Sequence, residues 1–203
     1  LHQGYIGREF TVSEVVQAYL GRIEAVDQDP RGPALNSVIT LNSEALDIAA
    51  SMDAQLVQFT EGSLPPLFGV PVLLKDNIDT KEGMPNTAGA RAMAESRPKR
   101  DAYIVQQLRE AGAIILGKTN LSEWANFHSS FSSSGWSGLG GQTKNPYDPS
   151  RSPCGSSAGS GVAASANLAM FTIGTETNGS ITCPANANGL VGIKPTVGLL
   201  SRS

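Results

Sequence analysis

The sequence predicts an α/β fold in which a mixed central sheet is covered by helices on both faces. Short, continuously apolar segments such as Phe68 to Leu74 are typical of strands covered on both sides. Segments with apolar residues at helical spacing alternate with them, as in α/β proteins. Because neither an internal repeat nor a linker interrupts this alternation, we expect a single domain.

The first elements are two helices separated by a strand. Thr11 and Glu14 have the spacing of a capping box, with Thr11 as N-cap and Glu14 as the third helical residue. Apolar residues then recur at helical spacing to about Ala25. A short strand is predicted over residues 36–41 and a second helix over about 43–57. The predicted inward face of this second helix consists of Leu46, Ala49, Ala50 and Met52.

The later elements continue the alternation. Asp101 is predicted to open a third helix that Gly112 ends, and the apolar run AIILG follows as a second buried strand. Residues 129–151 form a long loop rich in Ser and Gly. A helix over about 157–168 and a strand over 169–173 complete the pattern.

Composition excludes several functional classes. The chain has 203 residues, 40% of them hydrophobic, and no apolar run long enough to span a membrane. A net charge of −3 without basic clusters gives no reason to expect nucleic-acid binding. Cys154 and Cys183 do not make a disulfide scaffold or a zinc site, and neither His2 nor His128 has a ligand-like neighbour. We therefore expect no metal and no cofactor.

Chemistry is concentrated in residues 152–203, where the only charged side chains are Glu176, Lys194 and Arg202. Small polar residues alternate there with apolar blocks, which predicts serine hydroxyls and glycine amides inside a packed core. Buried hydroxyls beside glycines are what a site with a serine nucleophile needs.

Lys75 is the candidate base for such a site. It ends the apolar strand PVLLK, where desolvation would lower its pKa toward that of a neutral amine. Asp76 follows it, but adjacent strand residues point to opposite faces, so the two need not pair. The alternative is a lysine that extends from the strand end into solvent.

The candidate hydroxyls lie in two glycine-rich segments. Ser156 and Ser157 belong to CGSSAGSG, and the alternative role for a serine there is a helix N-cap. Ser180 ends GTETNGS, where Gly179 allows a tight turn and the amides from Thr177 onward can form an anion-binding nest. The alternative for Ser180 is an ordinary β-turn.

Other nucleotide-binding and catalytic motifs do not fit this sequence. Residues 159–164 fit G-x-G-x-x-A, but no clean strand precedes them and no acidic residue lies about 20 positions further on. No Walker sequence occurs. A Ser-His-Asp triad would have to use His128, whose preferred interpretation is a polar residue between a helix and a loop.

Taken together, Lys75, Ser156 and Ser180 resemble the Ser–Ser–Lys triad of the amidase signature family. The segments GVPVLLKDNID, SPCGSSAGSG, GTETNGS and GLVGIKPTVGL occur in the family's order and span nearly the whole chain. LSEWANF and GTETNGSITCPA resemble its peptide-amidase-like branch in particular.

The resemblance implies a mechanism and an amidase signature fold. Ser180 would be the nucleophile, neutral Lys75 the base, and Ser156 the proton bridge between them, with a cis Gly155–Ser156 peptide bond. Ser157 would hydrogen-bond within the Lys75 network. The backbone amides that would bind the oxyanion are those of Thr177, Asn178, Gly179 and Ser180.

Two departures from the family pattern concern single residues, Ala158 and Asn178. A third concerns length, because catalytic domains of the family are about twice as long. Since the chain begins with Leu1 and stops after an apolar stretch, we expect residues 1–203 to be one domain truncated at both ends, without its C-terminal part. Compartment and oligomeric state do not follow from the sequence.

The favoured function is hydrolysis of a small-molecule amide or a peptide C-terminal amide. One alternative is a component of a glutamyl-tRNA amidotransferase, which shares the triad and works with protein partners. The other is an inactive truncated homologue.

Overall fold

A computed structural model of the chain describes residues 1–60, 62–81, 83–127 and 129–200. His128 and Arg202, which the sequence analysis mentions, lie outside these ranges. The helices in the described residues are α1 (His2–Gly7), α2 (Val12–Arg22), α3 (Ala45–Gln55), α4 (Tyr103–Glu110), α5 (Ala158–Ser165) and α6 (Thr182–Ala187). The strands are β1 (Val38–Leu41), β2 (Pro71–Lys75), β3 (Ile114–Thr119), β4 (Trp136–Ser137), β5 (Gly141–Gln142) and β6 (Phe171–Ile173).

The central sheet has the strand order β1-β3-β2-β6. Strand β2 runs parallel to both β3 and β6, whereas β1 pairs antiparallel with β3 at one edge. The predicted mixed sheet is therefore confirmed. Within the predicted Ser/Gly loop, β4 and β5 form a separate two-stranded hairpin.

Helices pack on both faces of this sheet, and the alternation of β2 side chains separates two apolar clusters. Leu73 belongs to one cluster together with residues of α2, α3 and α5. Val72 and Leu74 belong to the other, which includes Val105 and Leu108 of α4. No helix in the described part of the chain is long and apolar enough to cross a membrane.

The start of α2 follows the predicted capping box. The amide of Glu14 donates to Thr11 Oγ1 at 3.0 Å, and the amide of Thr11 donates to Glu14 Oε2 at 2.7 Å. A π-helical segment, Ile23–Gln28, continues α2 beyond the predicted end near Ala25. It carries Asp27 into the interior, where its carboxylate accepts hydrogen bonds from the amides of residues 37 and 38.

The predicted inward face of α3 is partly wrong. Ala49 and Met52 are buried as expected, but Leu46 and Ala50 are exposed, and Ala45 is buried in their place. Residues 45, 49 and 52 are spaced by four and three positions, so they share one face, whereas Leu46 is rotated by about 100° from Ala45.

The predicted start of α4 is also wrong, while its end is confirmed. Ala102, not Asp101, occupies the N-cap. The Asp101 carboxylate instead accepts from the Lys81 amide and from Arg109 Nε. Gly112 has φ 91° and ends the helix, since its amide and the next one turn back to the last-turn carbonyls.

Candidate active site

Lys75 lies at the carboxyl end of β2, on the face covered by α5, and its side chain is fully buried. Its Nζ is 2.7 Å from Ser156 Oγ. Two further contacts connect it to Thr175, at 2.9 Å to Oγ1 and 3.3 Å to the carbonyl oxygen. The alternative of a lysine that extends into solvent is therefore wrong.

Burial decides the protonation of this amine. Desolvation lowers the pKa of Lys75 to about 7, against the opposing effect of the negative charge on Glu176. A neutral amine has two N–H groups and one lone pair. Both N–H groups have acceptors on Thr175, which leaves the lone pair free to accept the proton of the Ser156 hydroxyl.

Ser156 follows a cis Gly155–Ser156 peptide bond and is fully buried. Its carbonyl accepts a hydrogen bond from the Ser122 amide at 3.0 Å. Gly155 is needed at this turn, because a Cβ there would lie 2.3 Å from Ser122 Oγ. Backbone packing against residue 122 thus aims the Ser156 hydroxyl at Lys75.

Ser157 occupies the N-cap of α5, but its hydroxyl does not cap the helix. The hydroxyl donates to the Thr175 carbonyl at 3.1 Å and accepts from the Thr175 amide at 3.2 Å. Ser157 and Lys75 therefore share the carbonyl of Thr175. Next along α5, the buried Ala158 lies close to Gly135, where an added Cβ would be 3.2 Å from the alanine methyl.

Asp76 does not pair with Lys75. Its carboxylate lies on the other side of the sheet, where Oδ2 accepts from the amides of Thr87 and Gly89 at 3.1 Å each. The Thr87 hydroxyl contacts the same oxygen at 2.5 Å. The lysine consequently keeps its neutral hydrogen-bonding environment.

Ser180 follows Gly179, whose φ of 80° makes the tight turn. The Ser180 carbonyl accepts from the Ser157 amide at 3.1 Å, so the two serine-bearing segments are in contact. The Ser180 hydroxyl has no hydrogen-bond partner within the described residues. The structure thus brings Lys75 and Ser156 into direct contact, with Ser180 on the adjoining turn.

One amide of the predicted anion-binding nest already has an acceptor within the chain. The amide of Gly179 donates to Glu176 Oε1 at 2.7 Å, so in this conformation it is directed away from an oxyanion. The amides of Thr177, Asn178 and Ser180 have no acceptor in the part of the chain that the structure describes. These three amides remain the candidate donors.

Glu176 organises the turn that carries Ser180. Its other carboxylate oxygen accepts from the amides of Ile181 and Thr182 at 2.7 and 2.9 Å. Partial burial raises the pKa of Glu176, but these backbone hydrogen bonds outweigh that effect and lower it overall. The carboxylate is therefore ionised and fixed, and it holds the start of α6 against the turn.

Sequence reasoning missed four features of this region. Thr175 and Glu176 lie within the motif GTETNGS, but the sequence pattern assigns no role to either side chain. Lys118 ends a similar apolar run, AIILGK, and is fully buried on β3, as Lys75 is on β2. Cys154 and Cys183 form a disulfide, which two isolated cysteines in a sequence do not predict.

The site is built from hydroxyl, amine and amide groups. No group of three or more His, Cys, Asp or Glu in the described residues could hold a metal ion. A separate cavity of about 430 Å³ is lined by residues such as Asp27, Asn36 and Lys144 and includes none of the predicted catalytic side chains.

Comparison with known proteins identifies relatives of this chain. The sequence model of the Amidase family matches residues 14–203. A probable amidase of Arabidopsis thaliana is 47% identical over 196 residues, covering 97% of this chain and 37% of the relative. A glutamyl-tRNA(Gln) amidotransferase component from Alkaliphilus metalliredigens is 44% identical over 203 residues, covering 100% of this chain and 39% of the relative.

Solved structures of peptide amidase are similar to the whole chain. One, in complex with the competitive inhibitor chymostatin, superposes with a TM-score of 0.93 at 55% identity, covering 100% of this chain and 40% of that one. The native peptide amidase from Stenotrophomonas maltophilia gives a TM-score of 0.92 at 55% identity, with 98% and 40% covered. The chain thus spans about two fifths of the length of these relatives.

Proposed function

The chain belongs to the amidase family, and we propose that the protein hydrolyses a carboxylic or peptide C-terminal amide through an acyl-enzyme on Ser180. The observation that carries the proposal is the 2.7 Å contact between Lys75 Nζ and Ser156 Oγ, two fully buried groups. An amine with its pKa lowered to about 7 can act as a general base near neutral pH.

The proposed acylation moves two protons in a relay. Ser180 Oγ attacks the amide carbonyl carbon and gives its proton to Ser156 Oγ. Ser156 in turn gives its own proton to the lone pair of Lys75 Nζ, which becomes an ammonium group. The Ser157–Ser180 backbone hydrogen bond, at 3.1 Å, supports this path because it holds the two serine segments side by side.

The negative charge that develops on the carbonyl oxygen needs preorganised donors. We assign this role to the amides of Thr177, Asn178 and Ser180, which have no acceptor in the described part of the chain. Gly179 would join them only if its amide left Glu176. The fixed Glu176 carboxylate shapes the turn that presents these amides.

Collapse of the tetrahedral intermediate returns a proton to the departing nitrogen. The Lys75 ammonium gives it up through Ser156, and ammonia or an amine leaves as a neutral molecule. Water then attacks the ester on Ser180, and the same relay accepts its proton. The carboxylic acid departs and Ser180 regains its hydroxyl.

The proposal is tested on the complete gene product with a fluorophosphonate and a C-terminally amidated dipeptide. We expect the mass of the phosphonate on the peptide that contains Ser180, and release of ammonia from the amidated dipeptide. Ser180→Ala should lose both. Labelling at another residue, or none at all, would refute the assignment.

A second candidate is supported by the 44% identity to a glutamyl-tRNA(Gln) amidotransferase component over the full chain. In this alternative the triad releases ammonia from an amide donor for transfer to a second substrate. The two are separated by assaying ammonia release from the amidated dipeptide by the purified protein alone. Turnover without any partner favours the amidase, whereas dependence on partner proteins and glutamyl-tRNA favours the amidotransferase.

We further propose that residues 1–203 belong to one catalytic domain. The support is that a single four-stranded sheet connects β1 at one edge to β6 at the other. Limited proteolysis of the complete gene product should not separate residues 1–203 into two stable fragments. An early cut that releases two stable halves of it would contradict the proposal.

A further inference from the structure

A disulfide joins the two segments that carry the candidate catalytic serines. Cys154 lies directly before Gly155 and Ser156, while Cys183 lies in the first turn of α6, shortly after Ser180. The bridge closes a loop with a sequence separation of 29 residues. Both serines of the proposed relay thus lie within three residues of the same covalent bond.

The turn that carries Ser180 has few other restraints. Thr177 and Asn178 are exposed, and a Cβ added at Gly179 would meet no atom within 4 Å. The turn is held through Glu176 and through the 3.1 Å hydrogen bond from the Ser157 amide to the Ser180 carbonyl. Little side-chain packing therefore fixes the nucleophile.

A further hydrogen-bonded contact between the two segments lies at the end of α6. The side-chain amide of Asn188 donates to the carbonyls of Pro153 and Pro184, at 2.9 and 2.7 Å. The bond to Pro153 joins the end of α6 to the Ser156 segment, whereas the bond to Pro184 lies within α6. At the beginning, next to Ser180, the disulfide adds a covalent connection to the single backbone hydrogen bond between Ser157 and Ser180.

We propose that the Cys154–Cys183 disulfide positions Ser180 against Ser156, and that its reduction slows acylation. The inference rests on the proposed function. Cys183 is exposed and Cys154 is half-buried, so a dithiol can reach the bond. In the reduction the S–S bond breaks, each cysteine gains a hydrogen, and the dithiol is oxidised to its own cyclic disulfide.

Reaction rates depend steeply on the alignment of the reacting groups, and a displacement of about 1 Å can cost on the order of 100-fold. Loss of the bridge removes a restraint on alignment without touching the base, the relay or the backbone donors. We therefore expect a fall of about 10-fold to 100-fold in the acylation rate constant, with little change in KM.

The test compares oxidised, dithiothreitol-reduced and reoxidised forms of the complete gene product with the variant C154S/C183S. The readouts are the rate of fluorophosphonate labelling at Ser180, kcat and KM for a C-terminally amidated dipeptide, and the circular dichroism spectrum. We expect the reduced protein and the variant to be equally slow and folded. Reoxidation should restore only the wild type, and dithiothreitol should leave the variant unchanged.

The possible failures are distinguishable. If oxidised wild type does not label at Ser180, the proposed function is wrong and this inference falls with it. If it labels normally and reduction changes neither the rate nor kcat, only the inference is wrong. Global unfolding of both the reduced protein and C154S/C183S would also overturn it, because the bridge would then maintain the fold and not the alignment of Ser180.

Discussion

Two fully buried lysines lie on adjacent parallel strands and on opposite faces of the sheet. Lys75 ends β2 on the face of Leu73, which packs with α5. Lys118 is paired in register with Leu74 of β2, so it lies on the other face, near α4. Similar burial has given these two amines different surroundings.

The neighbours of each lysine determine what it can do. The Nζ of Lys75 meets a hydroxyl that can give up a proton, that of Ser156, and the oxygens of Thr175. The Nζ of Lys118 donates to the carbonyl of Ile78 at 2.5 Å, which has no proton to give. Burial lowers the pKa of both, to about 7 for Lys75 and about 8 for Lys118.

Nearby carboxylates oppose the effect of burial on the pKa of both lysines. Asp76, Asp79 and Asp101 oppose the effect of burial on Lys118, whereas only Glu176 does so for Lys75. Asp76 is itself fully buried. Burial still outweighs these carboxylates, so what sets Lys75 apart as a base is its contact with a hydroxyl that can exchange a proton.

The largest expected effect comes from Lys75→Met. Removal of the base should lower the rate of fluorophosphonate labelling at Ser180 by about 10²–10⁴-fold, the usual contribution of general base catalysis. Because folding lowers the pKa of Lys75 from 10.5 to about 7, the buried amine costs stability near pH 8, so its removal should not lower the melting temperature. Labelling at more than a tenth of the wild-type rate would contradict the role of Lys75.

Lys118→Met is the matched control, and its effect should fall on stability. The substitution removes the hydrogen bond to the Ile78 carbonyl and a cation near the buried Asp76 carboxylate, which should lower the free energy of unfolding by about 1–3 kcal/mol. The labelling rate of the folded variant should stay within about threefold of wild type. Denaturant unfolding measures the first quantity, and a stable but inactive variant would reverse the assignments of the two lysines.

Thr175→Val sharpens the account of the Lys75 environment. It removes the hydroxyl 2.9 Å from Nζ but keeps the backbone carbonyl, so we expect a loss of about tenfold in labelling rate, the worth of one hydrogen bond. Thr172→Val is the control, since Thr172 lies on β6, three residues before Thr175, and its hydroxyl donates to the Ser160 carbonyl of α5. Equal losses in the two variants would argue against orientation of Lys75 by Thr175.

The smallest effect is a rescue. Adding Asp76→Asn to Lys118→Met removes the uncompensated charge, and the amide oxygen can still accept from the amides of Thr87 and Gly89. We expect about 1 kcal/mol of the lost stability to return, as measured by urea unfolding. Further destabilisation by the second substitution would mean that Asp76 and Lys118 act independently.

The contrast between the lysines also shows how far sequence reasoning reaches. The apolar run before Lys75 predicted a doubly covered strand, its buried end and the lowered pKa, because burial of a strand is encoded in consecutive residues. The run AIILGK likewise predicts a buried strand that ends at Lys118. The carboxylates that oppose the lowering of the Lys118 pKa, however, come from residues 76, 79 and 101. Their convergence depends on the packing of a loop and a helix start, which local patterns do not encode.

The same limit applies to the candidate site. The resemblance to the amidase signature family predicted that Lys75 meets Ser156, and the capping box predicted where α2 begins. The direction of the Gly179 amide depends on the conformation of Glu176, and the pairing of Cys154 with Cys183 depends on how α6 packs. The wrong inward face of α3 reflects a choice between two adjacent apolar stripes that the sequence alone leaves nearly equal.

The central claim is that Lys75, and not Lys118, is the neutral base for Ser180. The most direct measurement is the pH dependence of fluorophosphonate labelling in wild type, Lys75→Met and Lys118→Met. Since only the deprotonated amine accepts a proton, the wild-type rate should be constant above a pH of about 7 and fall about tenfold per unit below it. The account predicts that Lys118→Met keeps this fall in rate below a pH of about 7 and that Lys75→Met loses it. The same fall in rate in Lys75→Met would contradict the account.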